Sequence, residues 1–144
     1  MKAVVAAPAA VVVALLAAAP AVGDPDAGVS SSTPSPPFID HTEWTQWGGQ
    51  NLTSLRVFPT PSGRVASRRP AITAAVDEAW AEVLARSPNA DTAGMRAQFV
   101  CHWRLAEIAE PGKTSWNLEP WRPVVDDAEM FASSCNPGSP EEPF

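Results

Sequence analysis

Chemistry-bearing residues are scarce in this chain. Its 144 residues include two histidines, two cysteines and no tyrosine. There is no Gly-x-Ser-x-Gly, no His-Glu-x-x-His and no glycine-rich phosphate loop. The usual sequence marks of a serine hydrolase, a zinc protease and a nucleotide site are therefore missing, and no cofactor or metal is expected. Basic residues are few as well, 10 against 16 acidic, for a net charge of −6. That balance excludes the basic face of a nucleic-acid binder and electrostatic docking on anionic lipid.

Long apolar runs are also absent, except at the start. Met1-Lys2 precedes an almost unbroken apolar stretch from Ala3 to Ala19, then Pro20, small residues and Asp24-Pro25-Asp26. A basic start, an apolar centre and small residues before a polar region mark a secretory signal peptide. Ala21-Val22-Gly23 places small residues at −3 and −1, so cleavage is expected before Asp24. The competing reading is an uncleaved anchor, since Val4 to Val22 approaches the ~20 apolar residues that span a bilayer. The run is Ala-rich, has two prolines and lacks a following basic cluster, which favours cleavage, secretion and no stable membrane insertion. Cleavage removes Lys2 and makes an acidic protein one charge more negative.

Export fixes how the cysteines are read. Two cysteines, Cys101 and Cys135, in an oxidising compartment predict a disulfide. A metal pair with His102 has no supporting ligand spacing; a nucleophilic thiol is the other alternative. Closing a loop of this size contributes roughly 3–4 kcal/mol in the chain-entropy model.

Residues 24–37 read as a flexible Ser/Pro-rich linker with nothing to bury, residues 38–138 as one globular domain, and residues 139–144 as a loose tail. Within the domain, Phe38 to Trp47 and Leu52 to Phe58 are β-rich and flank Gly48-Gly49-Gln50-Asn51, which predicts a hairpin. Strict alternation places Phe38, Asp40, Thr42 and Trp44 on one face and Ile39, His41 and Trp47 on the other. Pro59 to Pro70 reads as a loop carrying Arg64, Arg68 and Arg69.

Ile72, Val76, Ala79, Trp80, Val83 and Leu84 then repeat at helical spacing after Pro70. Glu82 and Arg86 form an i,i+4 pair, and Ser87-Pro88-Asn89 stops the helix. A second helix, capped by Asp91 or Thr92, carries the stripe Met95, Phe99, Trp103 and Ala106 and a neighbouring one of Cys101, Leu105 and Ile108, a width that predicts burial over much of its circumference. Pro111-Gly112 ends it. Ser115 to Pro123 is held extended by its prolines and is a candidate third strand. Asp126 caps a last helix running through Met130 and Phe131 to Cys135. The order β-β-α-α-β-α predicts an α+β fold: a small antiparallel sheet of hairpin plus C-terminal strand, packed on two main helices with one disulfide.

Phe38-Ile39-Asp40-His41-Thr42-Glu43-Trp44, Arg56-Val57-Phe58-Pro59-Thr60 and Gly63-Arg64 resemble the start of a family of small actinobacterial exported proteins, the domain of unknown function numbered 2599. Gly94 to Trp103, Trp116-Asn117-Leu118-Glu119-Pro120-Trp121-Arg122-Pro123 and Cys135-Asn136-Pro137 are closer still. The resemblance covers roughly Phe38 to Gly138. It implies export, one domain and an actinobacterial origin, and it supplies no catalytic residue.

Two sets of residues stand out as candidate sites. Trp116, Asn117, Glu119, Trp121 and Arg122 form a proline-stiffened segment able to stack on a sugar or anchor a protein; alternatively the two tryptophans clamp that segment to the core and Arg122 is salt-bridged. Trp44, Trp80 and Trp103 are expected in the core. Convergence of His41, His102 and Glu119 would give a hydrolytic site, although Asp40 is not expected to orient His41 from the adjacent strand position. A protruding Arg64 loop would suit a protease inhibitor. The leading expectation is a non-enzymatic secreted binding protein whose partner is a cell-envelope glycan or another exported protein.

Overall fold

The chain alternates between segments that need a sheet and segments that need a helix, and the computed structural model resolves how they meet. It describes residues 33–46, 52–69 and 73–140, all within the compact unit Ser32–Phe144. The expected signal segment, the hairpin turn at 47–51, the start of the first long helix at 70–72 and residues 141–144 lie outside the described residues. No helix among the described residues is long and apolar enough to cross a membrane.

Strands β1 (Ile39–Gln46), β2 (Thr53–Pro59) and β3 (Trp116–Leu118) form an antiparallel sheet in the order β1-β2-β3. Among the described residues four helices accompany it: α1 (Pro61–Ser67), α2 (Thr73–Arg86), α3 (Ala93–Ala109) and α4 (Asp127–Ala132), with a 3-10 turn at Pro88–Ala90. The fold is α+β, as the pattern predicts. Ser115 to Pro123 does supply the third strand, pairing Leu55 with Leu118 and Val57 with Trp116.

The core lies between sheet and helices. Leu55 and Val57 of β2, Trp116 and Leu118 of β3, Ala79, Trp80 and Val83 of α2, and Met95, Phe99 and Trp103 of α3 are all buried there. Its centre is aromatic. Trp103 meets Phe38 and Trp116 edge-on at 5.9 and 6.0 Å, and Phe99 meets Trp80 at 5.3 Å. Such pairs add about 0.5–1.5 kcal/mol each beyond area burial.

Four local expectations are corrected. The Pro59–Pro70 loop contains helix α1. Thr60 caps it by accepting from Gly63 N at 2.9 Å, with Pro61 in the first turn. The cap and proline signals are both in the sequence, but a seven-residue helix is too short to show an apolar period. Trp44 is 40% exposed although it stands opposite buried Leu55, because β1 is an edge strand and is open on one side. Glu82 does not pair with Arg86. Its carboxylate accepts from Phe38 N and Ile39 N at 2.7–3.0 Å, while Arg86 donates to the Glu82 carbonyl. Two unpaired N–H groups at the start of a strand are a stronger claim on a half-buried carboxylate than an exposed guanidinium.

The fourth concerns alternation in β1. The register shifts between Ile39 and His41, so Asp40 is an extra, bulged residue. Beyond it, Thr42 and Trp44 oppose Val57 and Leu55 on the core side, while His41 opposes Phe58. A bulge breaks the two-residue period and re-aims the side chains on either side of it.

The sheet's other edge is β3, and α3 covers it with side chains. Gln98 Nε2 donates to the Glu119 carbonyl at 3.0 Å, and Gln98 Oε1 accepts from Glu119 N at 2.9 Å. His102 Nε2 lies 3.0 Å from the Asn117 carbonyl. Two helix side chains thus do for this edge what a fourth strand would do.

Candidate functional site

The predicted Trp116–Arg122 surface is largely internal. Trp116, Asn117 and Glu119 are fully buried, and Arg122 nearly so. Glu119 accepts from Ser54 Oγ at 3.0 Å and from Arg122 Nε at 2.6 Å. The rest of the Arg122 guanidinium donates to the carbonyls of Pro137, Ser139 and Pro140. Trp121 is half-buried, donates Nε1 to the Thr53 carbonyl at 3.0 Å and lies 4.7 Å beneath Arg122. The segment is a clamp: it fixes β2 to β3 and holds down the start of the expected tail. The expected linker is likewise tied at its end, where Ser35 N donates to Ser62 Oγ at 2.9 Å.

The two histidines and Glu119 do not come together. His41 stacks on Phe58 at 4.1 Å on edge strand β1, with its side chain half-exposed. His102 binds the far edge of the sheet at β3, and Glu119 is committed to Ser54 and Arg122. Asp40 does reach His41, Oδ2 to Nδ1 at 2.6 Å, against expectation, because the bulge puts both side chains on one side. Among the described residues no group of three or more His, Cys, Asp or Glu is placed to hold a metal ion.

Arg64 is not presented on a protruding loop. It sits in α1 and turns inward, donating to the Glu107 carboxylate and to the Lys113 carbonyl at 2.7 Å. Arg68 donates to the other Glu107 oxygen at 2.8 Å. Burial works to raise the Glu107 pKa, but the hydrogen bonds from Arg64, Arg68 and Gly112 N outweigh it and hold the carboxyl below its usual range.

The surface that sequence reasoning missed lies along α3 and α4. Cys101 and Cys135 are joined, with Cα atoms 5.5 Å apart. The bridge pins the turn after α4 against the middle of α3. Helix α4 ends at Ala132, short of the expected Cys135, and Ser134 and Cys135 take φ of 52° and 69° to bring the sulfur inward. The disulfide, Met130 and half-buried Leu105 form a small second core.

Beside this core is a groove of about 330 Å³, lined by His102, Leu105, Ile108, Lys113, Phe131 and Asn136 among others. A second groove of about 540 Å³ runs along the other side of Leu105 and Phe131, bordered by Arg96 and Arg104. Ile108 was expected within a buried stripe, yet it is 70% exposed, and Phe131 is 65% exposed. Phe131 rims both grooves and Ile108 the first. The signal was present: α3 carries more apolar residues than one core stripe requires. Which of its stripes stays uncovered depends on how much of it the short α4 hides.

His102 forms part of the groove wall while its Nε2 is bound to the Asn117 carbonyl. A carbonyl only accepts, so Nε2 carries the proton and Nδ1 the lone pair. Burial foremost, then the positive charge of Lys113, lower the His102 pKa to about 4, against the raising effect of the bond to Asn117.

A family model described as "Protein of unknown function (DUF2599)" matches residues 39–138. Uncharacterized proteins Rv0477 of Mycobacterium tuberculosis and Mb0487 of Mycobacterium bovis are each 62% identical over 151 residues, covering 100% of this chain and of their own. Uncharacterized protein ML2452 of Mycobacterium leprae is 54% identical over 105 residues, 73% of this chain and 83% of its own. No solved structure matches the chain.

Proposed function

The chain belongs to the family of proteins of unknown function DUF2599, and on that premise we propose that it is a small exported binding protein, non-enzymatic, that works at or outside the cell envelope. The observation that carries this reading is the apolar face of α3 and α4, where Ile108 and Phe131 stand exposed beside two grooves and a disulfide. Exposed apolar side chains on a rigid, cross-linked surface are suited to recognition, because little conformational entropy is lost when they dock. Export rests on the N-terminal sequence. The hydrolase reading gains nothing from the placement of His41, His102 and Glu119, and the inhibitor reading loses its presented arginine.

The test is capture from cell-wall fractions and culture-filtrate proteins by wild type, Ile108→Asp, Phe131→Asp and Glu78→Gln. Glu78 is exposed on α2 and serves as a control. A specific component should be retained by wild type and by the control and lost with both rim variants. Equal retention by all four proteins would refute the proposed face. A hydrolytic activity that vanishes in His41→Gln or His102→Gln, with the fold intact, would refute the class.

A further inference from the structure

The smaller groove has the chemistry of a ligand site, and this deepens the binding reading above. Its walls are apolar, from Leu105, Ile108 and Phe131, but two polar side chains set into it are incompletely satisfied. His102 is 4% exposed and uses Nε2 on Asn117, while Nδ1 has no hydrogen-bond partner among the described residues. Asn136 is 9% exposed and donates Nδ2 to the Ser134 carbonyl at 2.9 Å, while Oδ1 is buried without a partner. Leaving a buried polar atom unpaired costs about 1–3 kcal/mol, and Asn136 Oδ1 is such an atom; His102 Nδ1 is not sealed from solvent, so it stands as a free acceptor in the wall of an apolar groove. Both are acceptors. What they lack is a donor.

We propose that this groove binds a neutral amphiphile, an aliphatic or aromatic body carrying a hydroxyl that is donated to Nδ1 of His102. The volume of about 330 Å³ is at the lower end of small-ligand pockets and limits the occupant to a small alcohol or one segment of a larger lipid. A carboxylate is disfavoured, since it would present lone pairs to two acceptors. Lys113 and Glu110 on the same wall pair with each other at 3.2 Å, so the groove offers neither charge alone to an ionic ligand. Burial and Lys113 keep His102 neutral, and that preserves its acceptor. The hydroxyl then completes a chain from ligand to imidazole to the β3 backbone, so occupancy is felt at the sheet edge.

The experiment titrates the disulfide-bonded protein at neutral pH with octanol, octanoate, octylammonium and octane. The readouts are affinity and the nitrogen-15 resonance of His102 Nδ1. Octanol should bind saturably at one site, at least tenfold more tightly than the other three, and move the Nδ1 resonance in the hydrogen-bonded direction. Ile108→Asp, at an exposed position, should weaken octanol at least tenfold without changing the fold. Failure of octanol to bind, octane binding equally well, or binding that leaves Nδ1 unmoved would each overturn the proposal. A tenfold preference for octanoate would overturn it too. None of these results touches the capture experiment, whose readout is retention of a cell-wall or culture-filtrate component by wild type, the control and both rim variants.

Discussion

At the scale of single residues, the buried polar groups define how the protein responds to its surroundings. His102 titrates near 4 when folded and near 6.5 when unfolded. Between those values the unfolded chain holds the extra proton, so stability rises with pH across that window and is fully present above about 6.5. The effect is on the order of 3 kcal/mol at most. Denaturant midpoints measured from pH 7 down to pH 4 should fall, and His102→Gln should flatten that slope. Glu107 acts in the same direction at lower pH. Its lowered pKa stabilises the fold above the ordinary carboxylate range, and that contribution is lost as pH falls through the folded value.

Arg122 is a second case. It neutralises a fully buried Glu119 and binds three carbonyls. Arg122→Ala strands the carboxylate and should cost about 3–5 kcal/mol, read by urea unfolding. Arg122 and Glu119 were legible as a candidate pair in a stiff segment. Their burial was not, because no local pattern says that Ser54, 65 positions away, closes over the carboxylate.

At the scale of elements, α1 shows how tight the approach to the sheet is. A Cβ on Gly63 would lie 2.2 Å from the Phe38 carbonyl oxygen, which also accepts from Thr60 N at 2.9 Å. Gly63→Ala must push α1 off the start of β1. Overpacking of this kind costs about 1–3 kcal/mol, and because the obstacle is backbone the upper end is expected. Thermal unfolding is the measurement, with exposed Val65→Ala in the same helix as the control. The long helices and β2 were readable from their periodicity and caps. Thr92 accepts from Met95 N, and Asp126 from Glu129 N, as expected of capping residues. Helix α1 and the β1 bulge were not readable. A short helix shows no period, and a bulge is defined by its partner strand rather than by its own sequence.

At the scale of the whole molecule, the disulfide joins the C-terminal turn to α3 across 34 positions. Reduction should lower stability by roughly 3–4 kcal/mol. It should also loosen the groove before the main core, since Cys135 lines the former and takes no part in the latter. Hydrogen exchange of the reduced protein should therefore rise first in α4 and the following turn. Uniform exchange across all helices would contradict that order. Processing belongs to this scale too: mass spectrometry of exported protein should find an N-terminus near Asp24, and an intact Met1 end in membranes would count against it.

The sequence by itself determined the long helices, the strands, the family, the pairing of its two cysteines and the core positions of Trp80 and Trp103, because periodicity, caps and apolar burial act locally or without regard to direction. Tertiary structure decided which polar residues went inside and which apolar ones stayed out. Trp116 to Arg122 looked like a surface and became a clamp, since Glu119 and Arg122 pair with each other, Ser54 and the C-terminal carbonyls take up their remaining hydrogen bonds, and Gln98 pairs the Glu119 backbone. Ile108 looked internal and stayed exposed, since α4 is too short to cover it. Burial of a polar group depends on partners distant in sequence, and exposure of an apolar one depends on the absence of a neighbour. Neither is written in the spacing of residues along one element.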